Sequence, residues 1–164
     1  MKKVLIIGCP GAGKSTFAKI LAKRTGLSLY HLDLIWFHGD GTVEDRKIFD
    51  EKLQEILEKD NWIIDGYYPR TLERRLQFAD AVFFFDLPAE VCLEGANKRI
   101  GTKRDDNPVY ETELSETLKE RILYFSIFNT PYIEDLLREF KGNIIRFQSY
   151  HDIDVWFKKN NSFI

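Results

Sequence analysis

Apolar and polar residues follow one another along this chain in two patterns. Short, mostly apolar segments, typical of buried strands, occupy residues 4–7, 28–32, 62–64, 80–85 and 143–147. Between them, apolar residues recur at helical spacing and predict helices over residues 16–22, 42–59, 88–99, 112–140 and 152–158. Strands that alternate with helices are typical of a parallel sheet covered by helices. The pattern therefore predicts an α/β fold with a five-stranded parallel sheet.

Local signals set the expected ends of several helices. Gly26 ends the first helix, Thr42 is expected to cap the second, and Pro88 suits the first turn of the next. A polar segment, residues 101–108, breaks the pattern, and Pro131 interrupts the long helical region that follows. Neither an internal repeat nor a linker is visible. We therefore expect residues 1–164 to form one domain.

The first predicted strand and helix flank a glycine-rich loop. The loop fills the P-loop pattern G-x-x-x-x-G-K-[ST] between a strand and a helix, which is the context that this pattern requires. In such a loop the backbone N–H groups cradle phosphates, the lysine reaches the β- and γ-phosphates, and the hydroxyl ligates Mg²⁺. The sequence thus predicts a site for ATP and Mg²⁺, with Lys14 as a catalytic residue. The predicted nucleotide-binding residues are Gly8, Cys9, Pro10, Gly11, Ala12, Gly13, Lys14, Ser15 and Thr16.

Acidic residues follow the predicted strands at the edge where a parallel sheet binds its ligands. Asp33 follows the second strand, Asp65 and Gly66 follow the third, and Asp86 follows the fourth. A carboxylate directly after a buried strand, near a P-loop, is suited to orient the Mg²⁺ of a nucleotide. We therefore predict that Ser15 and Asp65 bind the metal. The alternative is that Asp65 only caps the turn at Gly66.

Residues 65–71, Asp-Gly-Tyr-Tyr-Pro-Arg-Thr, resemble the adenylate kinase motif Asp-Gly-Phe-Pro-Arg with one extra residue. Over most of the chain, the pattern is similar to that of the small P-loop kinases called DNA topology modulation proteins, which themselves resemble adenylate kinase. The P-loop is specific for the superfamily, whereas the other matching pieces are specific only in combination and order. Those pieces are residues 31–33 with Trp36, 62–66, 85–88 with Cys92, and 103–105.

This resemblance implies a three-layer α/β/α P-loop NTPase fold, similar to adenylate and shikimate kinases, with ATP as the phosphoryl donor. It places the acceptor beside the second and third strands, where Asp33, Trp36, Gly66 and Arg70 are the acceptor-binding candidates. The extra tyrosine lengthens the acceptor loop. Since no long insertion follows the helix predicted over residues 88–99, only a short lid is expected, at about residues 99–110.

The nature of the acceptor depends on Asp33. This residue resembles the acceptor-site acid of shikimate-type and nucleoside kinases, where the carboxylate orients an acceptor hydroxyl or takes its proton. With that catalytic role for Asp33, the acceptor is an alcohol. If the acceptor is instead a nucleoside monophosphate, its phosphate is already ionised and needs no base, and Arg70 would meet it. A third possibility is that Asp33 is only a turn cap, with no bearing on the acceptor. Arg74 and Arg75 would either meet an anionic acceptor or form a solvated helix face, and Trp36 would either wall the pocket or pack in the core.

Two arginines of the predicted lid, Arg99 and Arg104, are candidates for catalysis. Phosphoryl transfer requires neutralisation of the charge on the transferred group, and a basic loop that contains glycine can close over the phosphates and exclude water. The alternative is a solvated basic loop that pairs with Asp105 and Asp106.

Composition and charge narrow the class of protein. The formal charge of −2 and a pI near 6.0 make direct nucleic-acid binding or attachment to an anionic membrane an unfavoured role. Two cysteines provide no disulfide framework, and no apolar run is long enough to span a membrane, so a cytoplasmic protein is expected. His31, His38 and His151 share no metal-ligand spacing and are expected to be structural or at the surface.

These features together predict an ATP-dependent phosphotransferase that acts on a small acceptor, which is a nucleoside, a nucleotide or a hydroxyl metabolite. A GTPase is disfavoured because the sequence lacks the base-reading motif Asn-Lys-x-Asp. The remaining alternative is a non-catalytic nucleotide-binding regulator that affects DNA topology.

Overall fold

A computed structural model of the chain describes residues 1–160. The strands are β1 (Lys3–Gly8), β2 (Leu29–His31), β3 (Trp62–Asp65), β4 (Ala81–Phe85) and β5 (Asn143–Phe147). The helices are α1 (Lys14–Thr25), α2 (Leu32–Trp36), α3 (Arg46–Leu57), α4 (Pro69–Leu76), α5 (Ala89–Lys98), α6 (Glu116–Leu123), α7 (Phe125–Phe128), α8 (Thr130–Glu139) and α9 (Tyr150–Lys159). Residues 161–164 of the predicted domain lie outside the described residues.

The five strands form one parallel sheet in the order β2-β3-β1-β4-β5, which confirms the predicted α/β architecture. Strand β1 lies at the centre, where Leu5 is in register with Ile64 on one side and with Val82 on the other. Because all strands run in the same direction, their carboxyl ends meet at one edge of the sheet. The P-loop that follows β1 therefore emerges in the middle of that edge.

The core lies on both faces of the central strands. β1, β3 and β4 are buried along almost their whole length, as expected for continuous apolar runs in a parallel sheet. On one face, the Phe17 ring of α1 packs against Phe83, Phe147 and Phe157 with ring centroids 4.9, 5.5 and 5.0 Å apart. These contacts hold α1, and with it the P-loop at its amino end, against the sheet.

Two predicted boundaries, at the end of β2 and the start of α3, are wrong. Strand β2 ends at His31, and residues 32–36 turn directly into the short helix α2, so Leu32 is helical rather than extended. Helix α3 begins at Arg46, because the Asp45 carboxylate accepts hydrogen bonds from the first-turn N–H groups and is the actual cap. Thr42 instead donates its N–H and hydroxyl to Asp40 in a turn before the helix.

The long helical region predicted over residues 112–140 is divided into α6, α7 and α8. Its amino end is Ser115, whose hydroxyl caps α6. Breaks occur at Tyr124 and Asn129, and the second break directly precedes the helix that contains Pro131. The predicted interruption is thus present but lies slightly earlier in the chain. Within residues 1–160, none of the helices combines the length and apolar character needed to cross a membrane.

Candidate active site

A cleft of about 860 Å³ opens at the carboxyl edge of the sheet. Its walls are the P-loop, α2, the loop between β3 and α4, and residues 99–115, which join α5 to α6 and are called the connecting segment below. The predicted short lid lies within this segment. The predicted site residues that line the cleft are Gly8, Pro10, Gly11, Gly13, Lys14, Ser15, Thr16, Asp33, Trp36, Asp65, Gly66, Arg99 and Arg104.

The P-loop fits closely against the neighbouring backbone. Gly8, Gly11 and Gly13 have φ values of +135°, +81° and +91°, a region that side chains rarely adopt. A Cβ atom at Gly11 would overlap the Cys92 carbonyl of α5, and a Cβ atom at Gly95 of α5 would overlap the Gly11 carbonyl. The loop therefore rests directly on the backbone of α5, without side chains in between.

Within this loop, Lys14 is held beside the carboxylates of the cleft. Its ammonium group donates to the Cys9 carbonyl at 2.7 Å. Burial lowers the pKa of Lys14, whereas the negative charges of Asp65 and Asp33 act in the opposite direction. Cys9 itself is buried with Ala12 beneath the loop, so Cys9 contributes its carbonyl rather than its thiol. Cys9 and Cys92 are both free cysteines.

Asp65, at the end of β3, is buried and held by a histidine. Its Oδ2 lies 2.8 Å from Nδ1 of His31, which occupies the neighbouring position in the β2–β3 register. The other carboxylate oxygen, Oδ1, is buried and has no hydrogen-bond partner among residues 1–160. Asp65 and Ser15 both line the cleft, so an acidic oxygen and a hydroxyl suited to Mg²⁺ face the same space. His31 is structural, as expected, but its contact with Asp65 was not predicted.

Asp33 lies opposite the P-loop, in the first turn of α2. Its Oδ1 accepts a hydrogen bond from the Tyr68 hydroxyl at 2.8 Å, and its Oδ2 accepts one from the Asn107 amide at 3.0 Å. Burial and the nearby Asp33 raise the pKa of Tyr68, so the phenol stays protonated and donates. Tyr68 stacks on Phe49 at 5.5 Å and meets Trp36 edge-on at 6.3 Å. Trp36 therefore both lines the cleft and packs against the core.

The backbone at Tyr68 is unusual. With φ at +37°, Tyr68 is the only non-glycine residue within 1–160 that has a positive φ. Such a conformation costs about 1–2 kcal/mol for a side chain of this kind. The surrounding contacts with Phe49 and Asp33 hold Tyr68 in it.

The connecting segment carries paired charges into the cleft. The Arg99 guanidinium lies 3.1 Å from Glu111, and Arg104 lies 2.5 Å from Asp106 and 3.6 Å from Glu111. The predicted pairing of this basic loop with acidic residues is therefore present for Arg104, but Arg104 is mostly buried and lines the cleft rather than being solvated. Asp105 pairs instead with Lys19 of α1.

Asp106 connects this segment to the P-loop helix. Burial raises the pKa of Asp106, but hydrogen bonds from Arg104 and Ser15 and the positive charges of Arg104 and Lys19 outweigh that effect, so the pKa lies well below its usual range. The Lys19 ammonium is 3.6 Å from the carboxylate. The connecting segment is thus held against α1 by an ionised, buried carboxylate.

The three arginines that follow the acceptor motif point away from the cleft. Arg70 lies outside the cleft lining and makes a two-point ion pair with Asp50, with distances of 2.7 and 3.0 Å. Arg74 donates to Gln54. Arg75 was expected either to meet an acceptor or to be solvated, and both expectations are wrong because the side chain is fully buried.

Arg75 is a structural residue of the loop between β3 and α4. Its guanidinium donates to the carbonyls of Gly66, at 2.8 Å, of Tyr67, and of Tyr68, at 3.0 Å, while Nε donates to Thr71. Burial lowers the pKa of Arg75. The backbone carbonyls of the loop are therefore satisfied by a side chain from the helix that follows it.

Several cleft residues were not predicted, notably Asn107, Glu111 and Arg121. Arg121 of α6 is exposed and has no ion-pair partner within the described chain. No motif marks these residues. For Arg121 the helical period is a usable signal. Leu118, Arg121 and Phe125 are spaced so as to share one face of α6 and its continuation, and all three line the cleft.

Comparisons with known proteins identify related chains, although no family model matches this chain. An adenylate kinase of Prochlorococcus marinus strain AS9601 is 31% identical over 163 residues, which cover 81% of this chain and 83% of the relative. A shikimate kinase of Azobacteroides pseudotrichonymphae is 36% identical over 70 residues, which cover 36% of this chain and 41% of the relative.

A structural comparison supports the same fold. The solved structure of shikimate kinase from Acinetobacter baumannii in complex with shikimate is similar, with a TM-score of 0.60 and 19% identity over 97% of this chain and 90% of that one. The three-layer α/β/α fold of P-loop kinases is therefore the fold of this chain.

Proposed function

Because this chain belongs to the adenylate kinase family of P-loop kinases, we propose that it transfers the γ-phosphoryl group of ATP to a hydroxyl group of a small acceptor. The family assignment supports the wider resemblance to adenylate kinase but does not extend to the topology modulation proteins. The matches to phosphotransferases do not favour a non-catalytic regulator of DNA topology.

On the donor side, the P-loop N–H groups and the amino end of α1 would bind the ATP phosphates, and Lys14 would reach the β- and γ-phosphates. Ser15 and Asp65 would hold Mg²⁺, directly or through water; the unpartnered Oδ1 of Asp65 supports this assignment. When bound, Mg²⁺ neutralises phosphate charge and orients the γ-phosphoryl group. His31 would keep the Asp65 carboxylate in place.

Asp33 carries the proposal for a hydroxyl acceptor. Its carboxylate lines the cleft near Lys14, while Arg70, the cation that would meet an acceptor phosphate, is bound to Asp50 outside the cleft. A carboxylate repels an anionic acceptor, but it orients a hydroxyl and can accept its proton. The aromatic rings of Trp36 and Tyr68 would add an apolar wall beside that hydroxyl.

Arg99, Arg104 and Arg121 would neutralise the charge that spreads over the transferred phosphoryl group. The first two are held by Glu111, so their guanidinium groups are positioned before the nucleotide binds. Pre-positioned charges stabilise a transition state without a further cost of reorganisation.

A nucleoside monophosphate is the second candidate acceptor. The 31% identity to an adenylate kinase favours it, and Arg121, which is not engaged in an ion pair within residues 1–160, provides a cation for its phosphate. In this case the acceptor is already ionised and needs no base.

The two candidates differ in their acceptors and in the residues they require. Purified protein with ATP and Mg²⁺ is incubated with nucleosides, nucleoside monophosphates, shikimate-like alcohols and small sugars, and ADP release is measured for each. A hydroxyl acceptor without phosphate should give the highest kcat/KM. A preference for AMP or another monophosphate would contradict the first candidate and support the second.

Two substitutions then test the role of Asp33 with the acceptor found. Asp33→Asn keeps the shape but removes the proton acceptor, so transfer should fall about 10²–10⁴-fold while ATP affinity changes little. Arg70→Ala should leave transfer within about threefold of wild type, because Arg70 is exposed and paired with Asp50. The opposite ranking of the two variants would contradict the hydroxyl acceptor and indicate that Arg70, rather than Arg121, meets an acceptor phosphate.

A further inference from the structure

Two adjacent residues of the connecting segment reach towards opposite sides of the cleft. Asp106 is buried on the donor side, where it pairs with Arg104 at 2.5 Å and lies 3.6 Å from Lys19. Asn107 extends to the acceptor side, where its amide donates to Asp33 Oδ2 at 3.0 Å. One short stretch of backbone therefore joins the residues around the ATP phosphates to the carboxylate that faces the acceptor.

The direction of the Asn107 amide is determined by its second contact. Asn107 Oδ1 accepts a hydrogen bond from the Val109 N–H at 2.9 Å, so the NH₂ group is the part that faces Asp33. The local turn at residues 107–109 thus holds the donor in place for Asp33.

The Asp33 carboxylate is held from two sides and still has capacity for an acceptor. Tyr68 of the acceptor loop binds Oδ1, and Asn107 of the connecting segment binds Oδ2. Each carboxylate oxygen has two lone pairs, so Asp33 can keep both contacts and accept a further hydrogen bond from an acceptor hydroxyl. Tyr68 belongs to the loop between β3 and α4, whereas Asn107 belongs to the connecting segment, which Asp106 attaches to the donor side.

We infer that Asn107 is a positioning residue that aligns Asp33 for proton transfer only while the connecting segment is seated against the donor side. This inference rests on the proposed function. In the aligned state, the acceptor oxygen attacks the γ-phosphorus of ATP, its bond to phosphorus forms as the bond to the ADP oxygen breaks, and Asp33 takes the hydroxyl proton. With the segment displaced, Asp33 loses one of its two anchors and the attacking hydroxyl is no longer directed.

The coupling has a consequence for side reactions. Correct alignment of nucleophile and phosphorus contributes strongly to the rate, and a misplacement of about 1 Å can cost about 10²-fold. When Asn107 no longer links the two sides, transfer to the acceptor should slow more than transfer to water. The number of ADP molecules formed per molecule of phosphorylated acceptor should therefore rise.

Two substitutions at Asn107 test this inference. Asn107→Asp keeps the oxygen that binds Val109 N–H but replaces the donor to Asp33 by a repelling carboxylate, and Asn107→Ala removes the donor without adding charge. Both should lower kcat for transfer about 10–100-fold, leave the dissociation constant of a non-hydrolysable ATP analogue within about threefold, and raise the ADP-to-product ratio above that of wild type. Asn97→Asp makes the same chemical change on the exposed face of α5 and should leave all three quantities unchanged.

The results separate this inference from the proposed function. If both Asn107 variants keep the wild-type kcat and ADP-to-product ratio while Asp33→Asn slows transfer, Asn107 does not position Asp33 and the hydroxyl mechanism stands. If Asp33→Asn has no effect while Lys14→Ala abolishes transfer, the hydroxyl mechanism is wrong and this inference fails with it.

Discussion

The proposed donor and acceptor sides of the cleft are built in different ways. The donor side is mostly backbone: a glycine-rich loop after β1 that rests against the backbone of α5 at Gly11 and Gly95. The acceptor side is a set of side chains, in which Asp33, Tyr68 and Asn107 meet from three separate segments. A backbone site requires few particular side chains beyond glycine, whereas a side-chain site can change its chemistry by single substitutions.

This contrast explains why the two sides differ in how specifically they identify a ligand. Phosphate groups are common to all nucleoside triphosphates, and a loop of N–H groups suits any of them. Selection of an acceptor instead depends on the positions of individual polar groups, such as the Asp33 carboxylate. Substitutions on the two sides should consequently alter different measured quantities.

The largest effect is expected from Lys14→Ala on the donor side. Turnover should fall about 10²–10³-fold and ATP binding should weaken, because Lys14 acts on bound phosphate and its removal leaves the apolar core intact. Calorimetry with an ATP analogue and an ADP-release assay measure the two effects, and circular dichroism confirms folding. Lys23→Ala, on an exposed position of the same helix, serves as the control. A folded Lys14→Ala protein with wild-type ATP binding and turnover would contradict the proposal that the P-loop binds the ATP phosphates.

On the acceptor side, Arg75→Met should act on stability. Methionine is similar to arginine in length but has no hydrogen-bond donor. The carbonyls of residues 66–68 therefore lose their donor, and the free energy of unfolding should fall by about 2 kcal/mol. Urea denaturation measures this loss. Arg138→Met, at an exposed ion pair on α8, should change the free energy by less than about 0.5 kcal/mol. Equal losses in the two variants would contradict a structural role for Arg75.

A smaller and more specific effect is expected at Asp65. Asp65→Asn should raise the Mg²⁺ concentration required for half-maximal activity about tenfold, because one negative charge near Ser15 is lost while the contact with His31 can remain. The measurement is a Mg²⁺ titration at saturating ATP, with Asp60→Asn at an exposed turn as the control. If the titration coincides with that of wild type, Asp65 is only a turn residue.

The smallest effect concerns the contact between the connecting segment and the donor side. Since the folded-state pKa of Asp106 is lowered, its ionised form stabilises the protein above the unfolded pKa of about 3.9, and this stability is lost as pH falls through the folded pKa. Asp106→Asn should thus be less stable than wild type by about 1 kcal/mol near pH 6, with a difference that shrinks below about pH 4. Thermal unfolding between pH 2.5 and 7 tests this. The control Asp154→Asn, at an exposed position of α9, should show the same pH dependence of the unfolding temperature as wild type. A pH-independent difference would exclude the ionised carboxylate as its cause.

The sequence predicted the sheet and the position of the P-loop between β1 and α1 well, because both depend on local patterns. Short apolar segments in alternation with helices have few alternatives to a parallel sheet, and the P-loop motif is contiguous in the chain. The end of β2 was less predictable, since Leu32 is apolar and buried in either a strand or a helix.

The acceptor side was harder to predict because its contacts are distant in sequence. Asn107 and Asp33 are 74 positions apart, and no motif links an isolated asparagine to that carboxylate. Arg74 and Arg75 are adjacent and chemically identical, yet successive residues of a helix point about 100° apart. The helical period accounts for the different burial of the two side chains, because Arg75 shares the buried face of α4 with Thr71 and Leu72.

The contact between the P-loop and α5 also affects how this chain tolerates mutation. Gly95 belongs to no nucleotide-binding motif, and a glycine inside a helix normally lowers stability by up to about 1 kcal/mol relative to alanine. Here a single added methyl group would push against the Gly11 carbonyl and displace the phosphate-binding loop. A deep mutational scan selected for activity should accordingly find position 95 nearly as intolerant as the P-loop glycines, and a homologue that carries a larger residue there would need a different loop geometry.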